Sequence, residues 1–188
     1  MIEIRYHGRG GQGAKTACML MGKAALEGGK YVQSFPEYGP ERTGAPVRAF
    51  TRISDQKIRI HSGVTNPDVV AVLDPTLTES QNVFNGLKEN GKIIINIEKS
   101  PAEIRKEVKP EKPCNIYTVD ATGIALETLG RPVMNVPMLG ALVKVAGIVD
   151  IEVLKNKIRS HFKGKLSPSA VEANIKGIEK AAEDVKYE

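Results

Sequence analysis

A chain of 188 residues, 41% hydrophobic and 26% charged, is long enough for one domain with a substantial core and short for two. Its net charge of +5 is mild, and 5% aromatic content with no tryptophan argues against a stacking platform for nucleic acid. The two cysteines, Cys18 and Cys114, form no local zinc or cluster motif, and no apolar run approaches the roughly 20 residues of a membrane span, so a cytoplasmic protein is expected.

The first stretch, Ile2-Glu3-Ile4-Arg5-Tyr6, alternates like a strand, and the residues from Ala14 to Leu26 are rich in helix formers. Between them lies Gly8-Arg9-Gly10-Gly11-Gln12-Gly13, a G-x-G-x-x-G spacing in a strand–turn–helix context. Gly8 suits a sharp turn, Gly10 a close approach of another group to the backbone, and Gly13 tight packing of helix on strand. The first amides of that helix lack intrahelical acceptors, which makes them a ready anion site. Two readings stand: a bound nucleotide or other phosphate, or a turn that only packs tightly. The next strand, Tyr31-Val32-Gln33-Ser34-Phe35, ends without the acidic residue that would hold a ribose, which disfavours NAD. The helix before it stops near Glu27-Gly28-Gly29.

Three prolines and two glycines in the run from Phe35 through Pro46 rule out a regular element and set Glu37, Tyr38, Glu41 and Arg42 on a constrained loop. It reads either as a functional loop or as plain surface. Residues 47–53 and 57–61 both alternate around Ser54-Asp55-Gln56, which predicts a β-hairpin with a basic face of Arg48, Arg52, Lys57 and Arg59. That face is either solvated or a docking surface. Val69 to Leu73 and Lys92 to Asn96 read as buried parallel strands. Asp74-Pro75 reads as an N-cap followed by proline at the first helical position.

Residues 100–113 suggest a short surface helix and a loop. Asn115 to Val119 is a further strand, and Asp120 caps a helix from Ala121 to Leu129 that Gly130 ends. The last third is helical: an almost wholly apolar helix after Asn135-Val136-Pro137, one capped by Asp150, and one begun by Ser167-Pro168 with a Glu172–Lys176 pair. The fold class that results is an α/β three-layer αβα sandwich, with a mostly parallel Rossmann-like sheet, a β-hairpin and a helical C-terminal third. One domain over residues 1–188 is expected.

No nucleophile elbow, phosphate-binding P-loop or metal-spaced cluster is present, and His7, His61 and His161 stand alone. His7 precedes the glycine turn, where it either packs or approaches whatever docks there. A ligand-type turn without catalytic apparatus suggests one component of a larger enzyme.

The glycine turn, the run Tyr38 to Val47 and the run Asn135-Val136-Pro137-Met138-Leu139-Gly140-Ala141 together resemble the gamma subunit of 2-oxoacid:ferredoxin oxidoreductases, in order and spacing, along essentially the whole chain. Arg42-Thr43-Gly44-Ala45-Pro46-Val47, followed by Ala49 to Ile53, looks more like the pyruvate class, because the 2-oxoglutarate type tends to carry a second glycine where Ala45 stands. The resemblance implies an enzyme that decarboxylates pyruvate to acetyl-coenzyme A and passes electrons to ferredoxin. It places thiamine diphosphate, magnesium and [4Fe-4S] clusters on partner alpha, beta and delta subunits and no cofactor in this chain, with coenzyme A nearby. It implies a functional edge of Gly8, Gly10, Gly11, Gln12, Gly13, Tyr38, Glu41 and Arg42, in which Arg42 meets either a phosphate or a partner carboxylate. The competing expectations are a stand-alone Rossmann-like nucleotide-binding domain, a gamma subunit for a different 2-oxoacid, and a scaffold whose turn only packs.

Overall fold

The computed structural model describes residues 1–37 and 43–188. Among them seven strands form one sheet: β1 (Ile2–Arg9), β2 (Tyr31–Pro36), β3 (Pro46–Ser54), β4 (Val69–Val72), β5 (Gly91–Asn96), β6 (Cys114–Val119) and β7 (Lys186–Tyr187). Their order is β2-β3-β1-β4-β5-β6-β7. β1, β4, β5 and β6 pair in parallel, while β3 is antiparallel to both β1 and β2, and β7 to β6. Five of the seven strands therefore point the same way.

The helices follow from capping and apolar pattern. α1 (Ala14–Glu27) ends at Gly28, and α2 (Leu77–Ser80) is a single turn. α3 (Pro101–Val108) carries a complete Ser100/Glu103 capping box. Asp120, Asp150 and Ser167 cap α4 (Ala121–Leu129), α6 (Ile151–Phe162) and α7 (Pro168–Asp184). Almost every residue of α5 (Asn135–Ala146) is buried.

Two cores result. Ile4, Tyr6, Ala71 and Ile94 face α1, α4, α5, α6 and α7. Val70, Val72, Ile93 and Ile95 face α2, α3 and the connecting segment at Val83 and Leu87. Two helix layers thus enclose the strands, as the αβα reading expected.

The hairpin differs from expectation. Residues 57–61 form no strand, because β3 already has β1 on one side and β2 on the other and offers them no free edge. The hairpin is instead β2 with β3. Nor are the arginines of β3 alike. Arg48 is exposed, whereas Arg52 is 1% exposed and donates to Glu3 Oε1 at 2.7 Å. Glu172 bonds Arg159 across α6 and α7, at 3.0 Å from Nε, in place of the expected intrahelical pair with Lys176.

α5 and α7 cross with backbone in contact. A Cβ built on Gly140 would stand 2.1 Å from the Ile178 carbonyl oxygen, and Gly177 sits against Pro137. Gly140→Ala must separate the helices, so it should cost at least ~2 kcal/mol and lower Tm by about 4–8 °C. Thermal unfolding with an unchanged midpoint would contradict this account of the crossing.

Candidate functional site at the glycine turn

β1 leads into the turn and α1 leaves it at the carboxyl end of the parallel strands. There the chain first moves to one side of β1, through β2 and β3, and later to the other, through β4. A crevice where strand order diverges is the usual place for a ligand in an open α/β sheet.

Gly8 does not make the turn. It is still within β1, and its role is to let Ala14 approach, since a Cβ there would be 3.1 Å from that of Ala14. The left-handed backbone lies at Gly11 (φ 97°) and Gly13 (φ 81°). A Cβ on Gly13 would fall 2.5 Å from Asn135 Nδ2, so the turn abuts the first residue of α5. The group that approaches Gly10 is the chain itself. Gly10 N donates to Ala45 O at 2.9 Å, and Gly44 N donates to Gly10 O at 3.1 Å.

Three separated sequence stretches are thereby brought together: the turn, Gly44-Ala45 and Asn135. Tyr38, Glu41 and Arg42 lie outside the described residues. Glu37, before them, pairs its carboxylate with the Arg48 guanidinium at both Nε and Nη2.

The turn is held by a carboxylate read from sequence as a helix cap. Asp74 follows β4 and does not cap α2, whose N-cap is Thr76. Asp74 Oδ2 accepts from Gln12 Nε2 at 2.6 Å and Arg9 Nε at 3.1 Å. Its Oδ1 accepts from the Thr76 amide at 3.0 Å and hydroxyl at 2.6 Å. Gln12 Oε1 closes the ring by accepting from Arg9 N at 2.7 Å, and Arg9 also reaches Gly44 O and Thr76 Oγ1. Burial would raise the Asp74 carboxyl, but hydrogen bonds from Thr76 and Gln12, with the Arg9 charge, outweigh it and hold it below the usual carboxylate range. Gln12 therefore shapes the turn through its side chain.

What remains for a ligand is the start of α1. Gly13 offers no side-chain cap, and no acidic residue occupies the first turn of the helix. The buried Asn135 beside it has no partner for Oδ1. A dinucleotide fit is poor: β3 separates β2 from β1, so the end of β2 is displaced from the turn, and Glu37 is engaged by Arg48. Cys18 and Cys114 are buried apart, and among the described residues no group of three or more His, Cys, Asp or Glu could hold a metal ion. Nor, among those residues, is any helix long and apolar enough to cross a membrane.

A family model described as pyruvate ferredoxin/flavodoxin oxidoreductase matches residues 3–183. The chain belongs to that family. It is 51% identical over 180 residues to the "Pyruvate/ketoisovalerate oxidoreductases common subunit gamma" of Pyrococcus abyssi, covering 96% of this chain and 97% of that one. It is 50% identical over 185 residues to pyruvate synthase subunit PorC of Thermotoga maritima, covering 98% and 95%. The crystal structure of the pyruvate oxidoreductase subunit PORC from the same organism superposes with a TM-score of 0.87 at 45% identity, covering 99% and 97%. A 2-oxoglutarate:ferredoxin oxidoreductase from Magnetococcus marinus gives 0.78 at 20% identity and spans 97% of this chain but 31% of its own, a likeness of fold alone.

His7 points to the sheet face opposite α1: it alternates with Tyr6 and registers with Val72 of the second core. It is 4% exposed, and burial, then the charges of Arg5 and Arg48, lower its pKa to about 3. His7 is neutral in the fold and takes a proton near 6.5 once unfolded. Stability present above about pH 6.5 is therefore lost as pH falls toward 3, with a slope near ~1.4 kcal/mol per pH unit from this residue. Denaturant titrations of wild type and His7→Gln from pH 7 to 4 should show the variant losing one proton's worth of that slope, and parallel curves would contradict it.

Proposed function

We propose that this chain is the gamma subunit of a pyruvate:ferredoxin oxidoreductase, acting as one domain over residues 1–188. The assembled enzyme converts pyruvate and coenzyme A to acetyl-coenzyme A and carbon dioxide, with the two electrons passing to ferredoxin. Alpha, beta and delta subunits carry thiamine diphosphate, magnesium and [4Fe-4S] clusters, which supply the carbanion and electron-transfer chemistry. This chain shapes the coenzyme A side.

One observation carries the reading. Gly44-Ala45 and Asn135, from two of the stretches that resemble the family, meet the third, the glycine turn, at the start of α1, while the turn's other polar groups are tied by Asp74, Arg9 and Gln12. A rigid rim with a positive helix end suits an anionic co-substrate held against neighbouring subunits. Gly10, Gly11, Gln12 and Gly13 form that rim, with Gly8 behind them in β1; Tyr38, Glu41 and Arg42 are assigned to it on the family resemblance alone. The division of labour also suits a chain with two separate buried cysteines. The pyruvate assignment rests on the names of the similar proteins and on Ala45 after Gly44. Another 2-oxoacid remains the competing substrate.

The chain should co-elute with brown cluster absorbance and with pyruvate-dependent dye reduction. In that complex, Gln12→Ala and Arg42→Gln should each raise KM for coenzyme A about tenfold, the equivalent of ~1.4 kcal/mol, with assembly intact. Unchanged KM and turnover in both would make the rim purely architectural.

A further inference from the structure

On the sheet face opposite α1, β1 presents Glu3, Arg5 and His7, β3 presents Arg48, Phe50 and Arg52, and β2 presents Tyr31, Gln33 and Phe35. Residues near Val64 and Asn85 border this face. Arg52 is partnered there at every guanidinium nitrogen, donating to Glu3 Oε1, Gln33 Oε1 and Gly63 O. Arg5 is not. It is 4% exposed, and its Nη2 donates only to the carbonyl oxygens of Val83 (2.9 Å) and Asn85 (2.7 Å), while its buried Nε has no acceptor.

A guanidinium enclosed with neutral oxygens alone retains much of its desolvation cost. Burial, with Arg48 nearby, accordingly lowers Arg5 to about 10. The nearby carboxylate, Glu37, is gripped by Arg48 through two bonds.

Arg5 lines a cavity of about 500 Å³ together with Phe35, Glu37, Arg48, Phe50 and Val64. Phe35 and Phe50 lie with ring centroids 5.4 Å apart. Two guanidinium groups against one carboxylate leave the cavity cationic over an aromatic floor. Further apolar side chains stand beyond Gln33 on this face. Tyr31, on the same face, is 50% exposed, and Ile60, whose carbonyl accepts from Gln33 Nε2, is 40% exposed. That breadth exceeds what one small acid would cover and suits a polypeptide segment with an acidic anchor and apolar neighbours.

We propose that this cavity receives an aspartate or glutamate, flanked by apolar residues, from another subunit of the assembled oxidoreductase. The carboxylate meets the part of the Arg5 guanidinium that lines the cavity and the exposed Arg48 guanidinium, and the apolar neighbours rest on Phe35. The inference relies on the reading that the chain functions within a complex, and it adds a docking face distinct from the glycine turn.

Arg5→Lys and Arg48→Lys, each assembled into the complex, place an amine where carbodiimide can join it to a touching carboxylate. The expected result is an amide cross-link from position 5 or 48 to an aspartate or glutamate of another subunit, found by peptide mass spectrometry. Arg5→Met should weaken association about tenfold. Links only to carboxylates of its own chain, or none at either position in a complex that still co-elutes, overturn this inference and leave the proposed function standing. A wild-type chain that co-elutes with no partner overturns both. If Arg5→Lys does not fold, the exposed Arg48→Lys decides alone.

Discussion

The shape of the glycine turn rests on the Asp74 carboxylate, which accepts four hydrogen bonds from three residues at the end of β4. A turn with left-handed glycines at positions 11 and 13 has many alternatives in an unconstrained chain. Asp74 removes them by fixing Arg9 on one side and Gln12 on the other. Because Arg9 N donates to Gln12 Oε1, the two side-chain anchors also define the backbone between them. Charge-assisted bonds of this kind are among the stronger ones available to a partly buried site, and each is worth roughly 1.5–3 kcal/mol.

The rest of the molecule makes that arrangement possible. β1 and β4 pair in register from Ile4 with Val69 to His7 with Val72, which sets the end of β4 beside the end of β1. Leu73 N then donates to His7 O at 2.8 Å, carrying the pairing one residue further and delivering Asp74 under the turn. From the other side, α5 is pressed toward Gly13 by its close crossing with α7, where Gly140 meets the backbone at Ile178. Lys92 Nζ, from β5, bonds Val145 O at the far end of α5. The helix is thus held at its middle and at its far end, and its first residue, Asn135, stands against Gly13. Volume excluded in the core becomes precision at the rim.

Local rules made much of this legible. Helix starts at Asp120, Asp150 and Ser167 and the unbroken apolar runs of β4 and β5 fall where capping and hydrophobic pattern require. The strand–glycine–helix start was equally plain. Position-specific roles were harder, because they depend on partners far away in sequence. Asp74 followed by Pro75 has every local mark of a helix cap, and only the strand register turns it toward Arg9 and Gln12. Alternation put Arg52 on a basic face read as either solvated or docking, yet Glu3 and Gln33 on the flanking strands enclose it. Residues 57–61 alternate as well as any strand, but sheet order left them no edge. The sequence signals for Asn135 were its place in a run that resembles the family and its position at the head of an apolar helix, where a polar residue asks for a reason.

The most direct test of Asp74 as the organiser of the turn is backbone amide exchange in wild type and Asp74→Asn. The account predicts that exchange at Arg9, Gly10 and Gly44 accelerates about tenfold or more, the equivalent of ~1.4 kcal/mol, while amides within β4 and β5 keep their rates. Unchanged exchange at those three amides, or an acceleration spread evenly over the sheet, would contradict it.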